Sequence, residues 1–162
     1  VIDKDGLTDP KDIRNKKRSI ILINNGIHPG EPEGIDASMI FARKMVLDKA
    51  SLAYLIRVTI IIIPIYNIGG SLLRNSTSRV NQNGPMAYGF RGNRQNLDLN
   101  RDFIKCDSKN AKTFSNIFNQ WNPDILIDNH TSDGADYTYN ITLLASQRNK
   151  LNVILGDYMY NK

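Results

Sequence analysis

Short runs of apolar residues alternate with amphipathic segments along the first half of the chain. The runs at Ser19–Asn24 and at residues 56–64 are rich in β-branched side chains and are too short for buried helices. Such runs predict strands that are buried on both faces of a sheet. Between them, apolar residues recur at helical spacing, which predicts a helix of about 14 residues with a charged outer face. The apolar positions of this helix are Ile35, Met39, Ala42 and Val46.

The second half of the chain repeats this order of elements. Residues 108–121 predict an amphipathic helix, and Pro123 separates it from a short strand at residues 124–128. Alternating side chains at residues 137–145 predict another strand, and residues 147–160 are expected to be helical. The apolar face of the first of these helices consists of Phe114, Ile117, Phe118 and Trp121.

Polar segments with glycine and proline separate these elements. Residues 1–17 are expected to form an exposed lead-in without an element. Residues 66–97 and 129–136 predict loops, and a loop as long as the first is usually functional or disordered. Strands that alternate with helices predict a three-layer α/β domain over residues 18–162, in which a mixed, mostly parallel sheet carries helices on both faces. We expect the chain to supply about five strands to this sheet.

Composition and charge narrow the possible partners. The 162 residues are enough for one domain with a hydrophobic core. The net charge is +5, yet only residues 14–18 form a dense basic run, which argues against nucleic-acid binding because that needs a focused patch. No stretch approaches the roughly 20 apolar residues of a membrane span. The single cysteine, Cys106, excludes an intrachain disulfide and a cysteine-rich zinc motif, and it leaves the compartment open.

The two histidines of the chain are the first indication of chemistry. His28 and His130 each follow a predicted strand and lie beside carboxylates. A single histidine usually has a structural explanation. In His28-Pro29-Gly30-Glu31, however, an imidazole and a carboxylate separated by two residues both reach one ion from a turn. Because a catalytic zinc takes three protein ligands and leaves a fourth position for water, the sequence predicts a zinc site of His28, Glu31 and His130.

A second group of polar residues is suited to bind a carboxylate. Asn100 and Arg101 lie in a segment that mixes apolar anchors with polar groups, and this segment follows a stretch with Arg91 and Arg94. The guanidinium fork of arginine matches a carboxylate in two-point contact, and an asparagine amide adds a further donor. The alternative interpretation is a cluster of surface salt bridges, which is common for isolated arginines.

Taken together and in this order, the motifs resemble those of the zinc carboxypeptidase family. The family pattern is His-x-x-Glu, then an arginine, then Asp-x-Asn-Arg, then a distant histidine after a strand that ends in an acidic residue. The match extends over about residues 19–139. The matching segments are His28-Pro29-Gly30-Glu31, Arg91, Asp98-Leu99-Asn100-Arg101 and Asp128-Asn129-His130.

The resemblance implies a role for each matching residue. His28, Glu31 and His130 would bind Zn²⁺, which polarises the scissile carbonyl and makes bound water nucleophilic. Arg91 would stabilise the oxyanion, unless it exchanges roles with Arg94. The implied activity is hydrolysis of the C-terminal amide bond of a peptide that has a free carboxylate.

The same resemblance assigns the substrate carboxylate to Asn100 and Arg101, and it makes Asp98 the partner that orients His28. In the family, a glutamate well beyond the last zinc ligand acts as the general base, and no glutamate follows Glu33 here. Together with the missing initiator methionine, this suggests a catalytic domain that is incomplete at its C-terminus. The resemblance slightly favours a secreted or periplasmic protein.

Two other functions fit the same residues. Aspartoacylase-like deacylases share the His-x-x-Glu and Asp-x-Asn-Arg motifs, so an acylated amino acid is the alternative to a peptide substrate. A non-catalytic relative that binds only zinc or a peptide end would account for the general base that the sequence does not supply. Peptide and N-acyl amino acid substrates distinguish the first alternative from a peptidase, and a lack of hydrolysis identifies the second.

Overall fold

The computed structural model describes residues 1–79, 82, 84–132, 135 and 137–161. Its elements, in chain order, are α1 Pro10–Asn15, β1 Ser19–Asn24, α2 Glu33–Leu47, β2 Val58–Ile63, α3 Ile68–Leu72, β3 Arg74–Asn75, β4 Tyr88–Gly89, α4 Lys109–Trp121, β5 Ile125–Asp128 and α5 Val153–Tyr160. Short 3₁₀ helices lie at Ser51–Ile56, Leu99–Arg101 and Arg148–Lys150. No helix in the described ranges is both long and apolar enough to cross a bilayer.

The main sheet is parallel and has β1 at its centre. β1 pairs with β2 on one side and with β5 on the other. Ile2 adds an antiparallel bridge to Ile60 of β2, so the sheet is mixed at that edge. β3 and β4 form a separate antiparallel ladder. Because the three main strands run in one direction, their carboxyl ends meet at the same edge of the sheet, where ligands bind in open α/β sheets.

Apolar side chains cover both faces of the sheet, because successive strand residues point to opposite sides. On one face, Ile20 of β1 belongs to a core with Ile13 of α1 and Phe114 of α4. On the other face, Ile23 of β1 belongs to a core with Met45 of α2. Helices therefore lie on both faces, and the predicted three-layer α/β architecture is confirmed.

The predicted strands that become β1, β2 and β5 are confirmed with small shifts at their ends, as is the helix that becomes α4. α4 illustrates why its bounds are readable in the sequence. The Ser108 hydroxyl oxygen accepts a bond from the Ala111 N–H at 3.0 Å and so caps the first turn. Asn122 ends the helix in the left-handed conformation, with φ at 41°.

The predicted apolar face of α2 is wrong at two of its four positions, whereas Ile35 and Ala42 are partly buried as expected. Met39 and Val46 are 57% and 58% exposed, whereas Ser38 and Met45 are buried. The less exposed side runs through positions 35, 38, 42 and 45, and the Ser38 hydroxyl on this side donates a bond to the buried amide of Asn25. Apolar spacing alone does not reveal such a polar anchor.

The lead-in is not the exposed segment without an element that the sequence predicted. α1 lies within it, Asp9 caps its first turn, and Ile13 is completely buried. Pro10 starts this helix instead of interrupting it, because proline is favoured in the first turn.

Two further predictions differ from the structure. Where it is described, the segment 137–145 forms no strand, and Ile141, Leu143 and Leu144 are 83–98% exposed. A strand requires a ladder partner, and no described strand pairs with this segment, so the main sheet has three strands instead of about five. Residues 66–97 are not one continuous loop, since they contain α3, β3 and β4. The tail that was expected to be helical does contain α5.

Candidate metal centre

The two histidines lie together at the carboxyl edge of the sheet. Asn24 and Asp128, the last residues of β1 and β5, are partners in the sheet register. His28 and His130 follow these strand ends within a short distance along the chain. Gly26 turns the chain after β1 with φ at 64°, a conformation that glycine adopts without strain. The parallel pairing of β1 and β5 therefore brings residues from distant parts of the sequence to one place.

Both imidazoles converge on Glu31. Nδ1 of His28 lies 3.0 Å from Oε1 of Glu31, and Nδ1 of His130 lies 3.0 Å from Oε2. One ligand atom from each of the three residues lies within 4.8 Å of the other two. Two imidazole nitrogens and a carboxylate form a common donor set for catalytic zinc, and this spacing fits one ion with bonds of about 2.0–2.2 Å.

The second nitrogen of each imidazole faces an aspartate. Nε2 of His28 lies 3.1 Å from Oδ1 of Asp98, and Nε2 of His130 lies 2.9 Å from Oδ2 of Asp128. With a metal on Nδ1, a carboxylate in this position would hold the ring proton on Nε2. The sequence predicted this partner for His28 and assigned no role to Asp128.

Hydrogen bonds around Glu31 keep its carboxyl ionised. Burial by itself would raise the pKa of Glu31, but bonds from His130, His28 and the Thr131 N–H lower it well below the ordinary 4.5. Hydrogen bonds to Asp128 and Glu31 raise the pKa of His130 to about 10, against the effect of burial. In the metal-free chain His130 therefore holds a proton between two carboxylates, and a cation at the cluster replaces positive charge that is already there.

The cluster is closed on one side and open on the other. His28 and Glu31 are 3% and 4% exposed, whereas the His130 side chain is 31% exposed. The accessible side of the cluster is therefore that of His130.

Buried amides hold the loops that carry the cluster. Oδ1 of Asn25 accepts bonds from Asn129 Nδ2 at 2.7 Å and from the Ser38 hydroxyl at 3.1 Å. Gly34 allows α2 to approach closely, because a Cβ at that position would lie 2.5 Å from the Cβ of Asn129. The first turns of α2 and the loop before His130 are thereby fixed to the end of β1.

Arg91 contacts Asp98, the carboxylate that faces His28. Its Nε donates to Oδ2 of Asp98 at 3.0 Å, and its carbonyl accepts a bond from Asn67 Nδ2 at 3.2 Å. Since Asp98 lies at the nitrogen of His28 that points away from Glu31, Arg91 is bound behind the ligand. Arg94 is exposed, close to the backbone of α3.

The predicted carboxylate-binding pair follows Asp98 directly. The Asn100 N–H donates to Oδ1 of Asp98 at 3.0 Å, within the 3₁₀ helix Leu99–Arg101. Nη1 of Arg101 donates to the carbonyl of Asn100 at 3.0 Å, and Arg101 is exposed. The structure therefore brings Asn100 next to the support of His28 and leaves the Arg101 guanidinium at the surface.

Three residues near Glu31 were not identified from the sequence. Asp128 was noted only as the end of a strand, although an aspartate two residues before a histidine was a usable signal. The Thr131 N–H donates to Oε2 of Glu31 at 3.0 Å, and any residue supplies such a backbone donor. Nη1 of Arg79 lies 3.2 Å from Oε1 of Glu31, and the chain carries no local signal for this contact because it spans 48 positions, from 31 to 79.

The comparison with protein families agrees with this geometry. The family model described as zinc carboxypeptidase matches residues 6–150, which is most of the chain and includes every residue of the cluster. No curated protein and no solved structure matches the chain. On the strength of the family match, this chain belongs to the zinc carboxypeptidase family.

Proposed function

We propose that the chain carries the zinc site of a carboxypeptidase that hydrolyses the C-terminal amide bond of a peptide. The observation that supports this most strongly is the convergence of two imidazole Nδ1 atoms on one buried carboxylate. His28, Glu31 and His130 would hold the ion, and the fourth position would open on the exposed side of His130. The chemistry of the donor set fits zinc, because these are the nitrogen and oxygen ligands that zinc takes in hydrolases.

The residues around the ligands would prepare the site for this ion. When bound, zinc supplies Lewis-acid polarisation of the scissile carbonyl and of a water molecule. Asp98 and Asp128 would hold the Nε2 protons and so direct the Nδ1 lone pairs inward. Glu31 is ionised before the metal arrives, and His130 would release its proton as the metal binds.

A free carboxylate is the substrate feature that Asn100 and Arg101 fit. The Arg101 guanidinium is exposed and bonds only a neutral carbonyl among its described contacts, a bond that an anionic carboxylate replaces favourably. For the oxyanion, Arg91 is engaged with Asp98 on the outer side of His28. That bond uses Nε, and the Arg91 side chain is 39% exposed, so Arg91 remains our candidate for that role, with Arg94 as the exchange that the sequence left open.

The first experiment measures zinc content and zinc affinity of the chain and of His28→Ala and His130→Ala. We expect stoichiometric zinc in the parent and its loss in both variants. Cys106→Ala is the control, because its thiol contacts Ser115 at 3.4 Å, away from the cluster, and should not change zinc content. A parent without zinc, or variants that retain it, would contradict the proposed site.

The second experiment tests the substrate class on the zinc-loaded chain. We expect a peptide with a free C-terminus to bind more tightly than the same peptide with a C-terminal amide. Arg101→Gln should remove this preference, whereas Arg148→Gln, a change at an exposed pair on α5, should not. Preference for an N-acyl amino acid over the peptide would favour the deacylase alternative. Peptide binding without hydrolysis in a longer polypeptide would favour a non-catalytic relative.

A further inference from the structure

Arg79 approaches the metal cluster from the segment between β3 and β4. Its side chain is 7% exposed, and its Nη1 lies 3.2 Å from Oε1 of Glu31. The other oxygen of Glu31, Oε2, accepts the Thr131 N–H at 3.0 Å. Each carboxylate oxygen thus has one donor in addition to an imidazole. These two donors reach Glu31 from residues other than the two histidines.

The position of Arg79 is fixed by packing and by hydrogen bonds. A Cβ at Gly30 would lie 2.7 Å from Cγ of Arg79, so the arginine stem occupies the space that a side chain at position 30 would fill. Nε of Arg79 donates to Oε1 of Gln82 at 3.0 Å. Gln82 in turn donates through Nε2 to the carbonyl of Ser132, next to the loop of His130.

We infer that Arg79 is a positioning residue that holds the Glu31 carboxylate in its metal-binding orientation, in the space that Gly30 leaves open. The inference rests on the proposed zinc site and adds a residue to it. Partners that orient a ligating carboxylate usually change metal affinity about 10–100-fold when they are removed. A guanidinium serves here because it bonds Glu31 and Gln82 from one rigid fork.

A purely structural role for Arg79 predicts a different result. If the ion pair stabilised the metal-free and the metal-bound fold equally, its removal would lower the free energy of unfolding and leave zinc affinity unchanged. If the guanidinium mainly repelled the incoming cation, its removal would tighten zinc binding. The sign of the change in zinc affinity therefore distinguishes the three roles.

The experiment compares zinc affinity, by chelator competition, in the parent chain and in Arg79→Gln, Arg79→Lys, Gly30→Ala and Arg74→Gln. Arg74 is the matched control, because it lies in the same segment and donates to the carbonyl of Ala87. We expect Arg79→Gln to weaken zinc binding about 10–100-fold and Arg79→Lys to weaken it less. Gly30→Ala, whose Cβ would lie 2.7 Å from Cγ of Arg79 and 3.0 Å from the Gly89 carbonyl oxygen, keeps the charge of Arg79 and should also weaken binding. Arg74→Gln should leave zinc affinity unchanged.

The results distinguish a failure of this inference from a failure of the proposed zinc site. Circular dichroism of each variant checks that it is folded, and Gly30→Ala decides the matter if Arg79→Gln does not fold. A parent that binds zinc, with unchanged or tighter binding in Arg79→Gln and Gly30→Ala, overturns the role of Arg79 and leaves the zinc site intact. A parent that takes up no zinc overturns both.

Discussion

Two buried polar clusters lie at opposite ends of the parallel sheet, and they are built differently. Before the first residue of β1, Nη1 of Arg18 donates to both oxygens of Asp3 at 2.9 Å. Beyond the last residues of β1 and β5, His28 and His130 face one carboxylate, that of Glu31. Both clusters are charged and largely shielded from solvent, so burial does not distinguish them.

The distribution of donors and acceptors does distinguish them. In the first cluster, Nε of Arg18 donates to the Ile56 carbonyl at 3.3 Å, and the Thr59 hydroxyl donates to Asp3. The groups that meet the Asp3 carboxylate are donors, a guanidinium and a hydroxyl, and a guanidinium has no lone pair for a metal. In the metal cluster, two ring nitrogens share one carboxylate and point at a common space. Convergence of ligand atoms on one point, and not burial of charge, indicates a site.

Breaking the first cluster should have the largest effect on stability. We expect Arg18→Met to lower the free energy of unfolding by about 3–5 kcal/mol, because the Asp3 side chain is 1% exposed and would keep its charge without this partner. Denaturant unfolding of the metal-free chain measures this quantity. Zinc affinity of the folded variant should not change.

The matched control is Arg148→Gln, which breaks an exposed pair with Asp157 and should cost at most about 1 kcal/mol. A loss of zinc affinity in Arg18→Met would show that the two clusters are coupled across the sheet, and it would contradict their independence.

Changes at Asp98 and Asp128, the carboxylates that face the histidines, should act mainly on zinc affinity and not on stability. Asp98→Asn and Asp128→Asn keep the shape of the side chain but remove the charge that favours the Nε2 proton. We expect zinc affinity to fall about 10–100-fold in each. Chelator competition measures this, with Asp157→Asn as a remote control. Unchanged affinity would mean that the imidazoles are oriented by packing alone.

A smaller effect on zinc affinity should distinguish Arg91 from Arg94. Arg91→Gln removes a partly exposed bond to Asp98, worth about 0–1 kcal/mol, so zinc affinity should fall by at most about fivefold. Arg94→Gln should leave zinc affinity unchanged. A larger loss in Arg94→Gln than in Arg91→Gln would contradict the contact of Arg91 with the partner of His28.

The sequence predicted the elements whose pattern is set by local chemistry. β1, β2 and β5 are uninterrupted apolar runs, and α4 carries its own caps, Ser108 and Asn122. The burial of Ser38 on α2 was not predictable from apolar spacing, because its hydroxyl bonds the amide of Asn25 beyond the end of β1. The segment 137–145 has the alternation of a strand, but alternation does not supply a ladder partner.

The residues of the candidate site divide in the same way, into those that lie in local motifs and those that distant contacts bring to the site. The residues His28, Glu31, His130 and Asp98 lie in recognisable motifs, and the structure brings them together. Arg79 lies in a segment without a motif, and its contact with Glu31 depends on the approach of Arg79 and Gly89 to Gly30. A sequence identifies ligands by their chemistry more readily than it identifies the residues that hold them.

The smallest expected effect is a difference in pH dependence at the first cluster. Burial would raise the pKa of Asp3, but bonds from Thr59, the N–H groups of Asp5 and Leu7, and Arg18 lower it below the ordinary 3.8. A lowered folded pKa stabilises the fold above the unfolded pKa, and this contribution is lost as pH falls through the folded pKa. Asp3→Asn has no such proton to take up. Between about pH 5 and pH 3, the free energy of unfolding of metal-free Asp3→Asn, lower at the outset, should therefore fall less steeply than that of the parent. Parallel slopes in denaturant titrations would show that Asp3 is protonated equally in the folded and unfolded chains, and that the cluster is held by shape and not by charge.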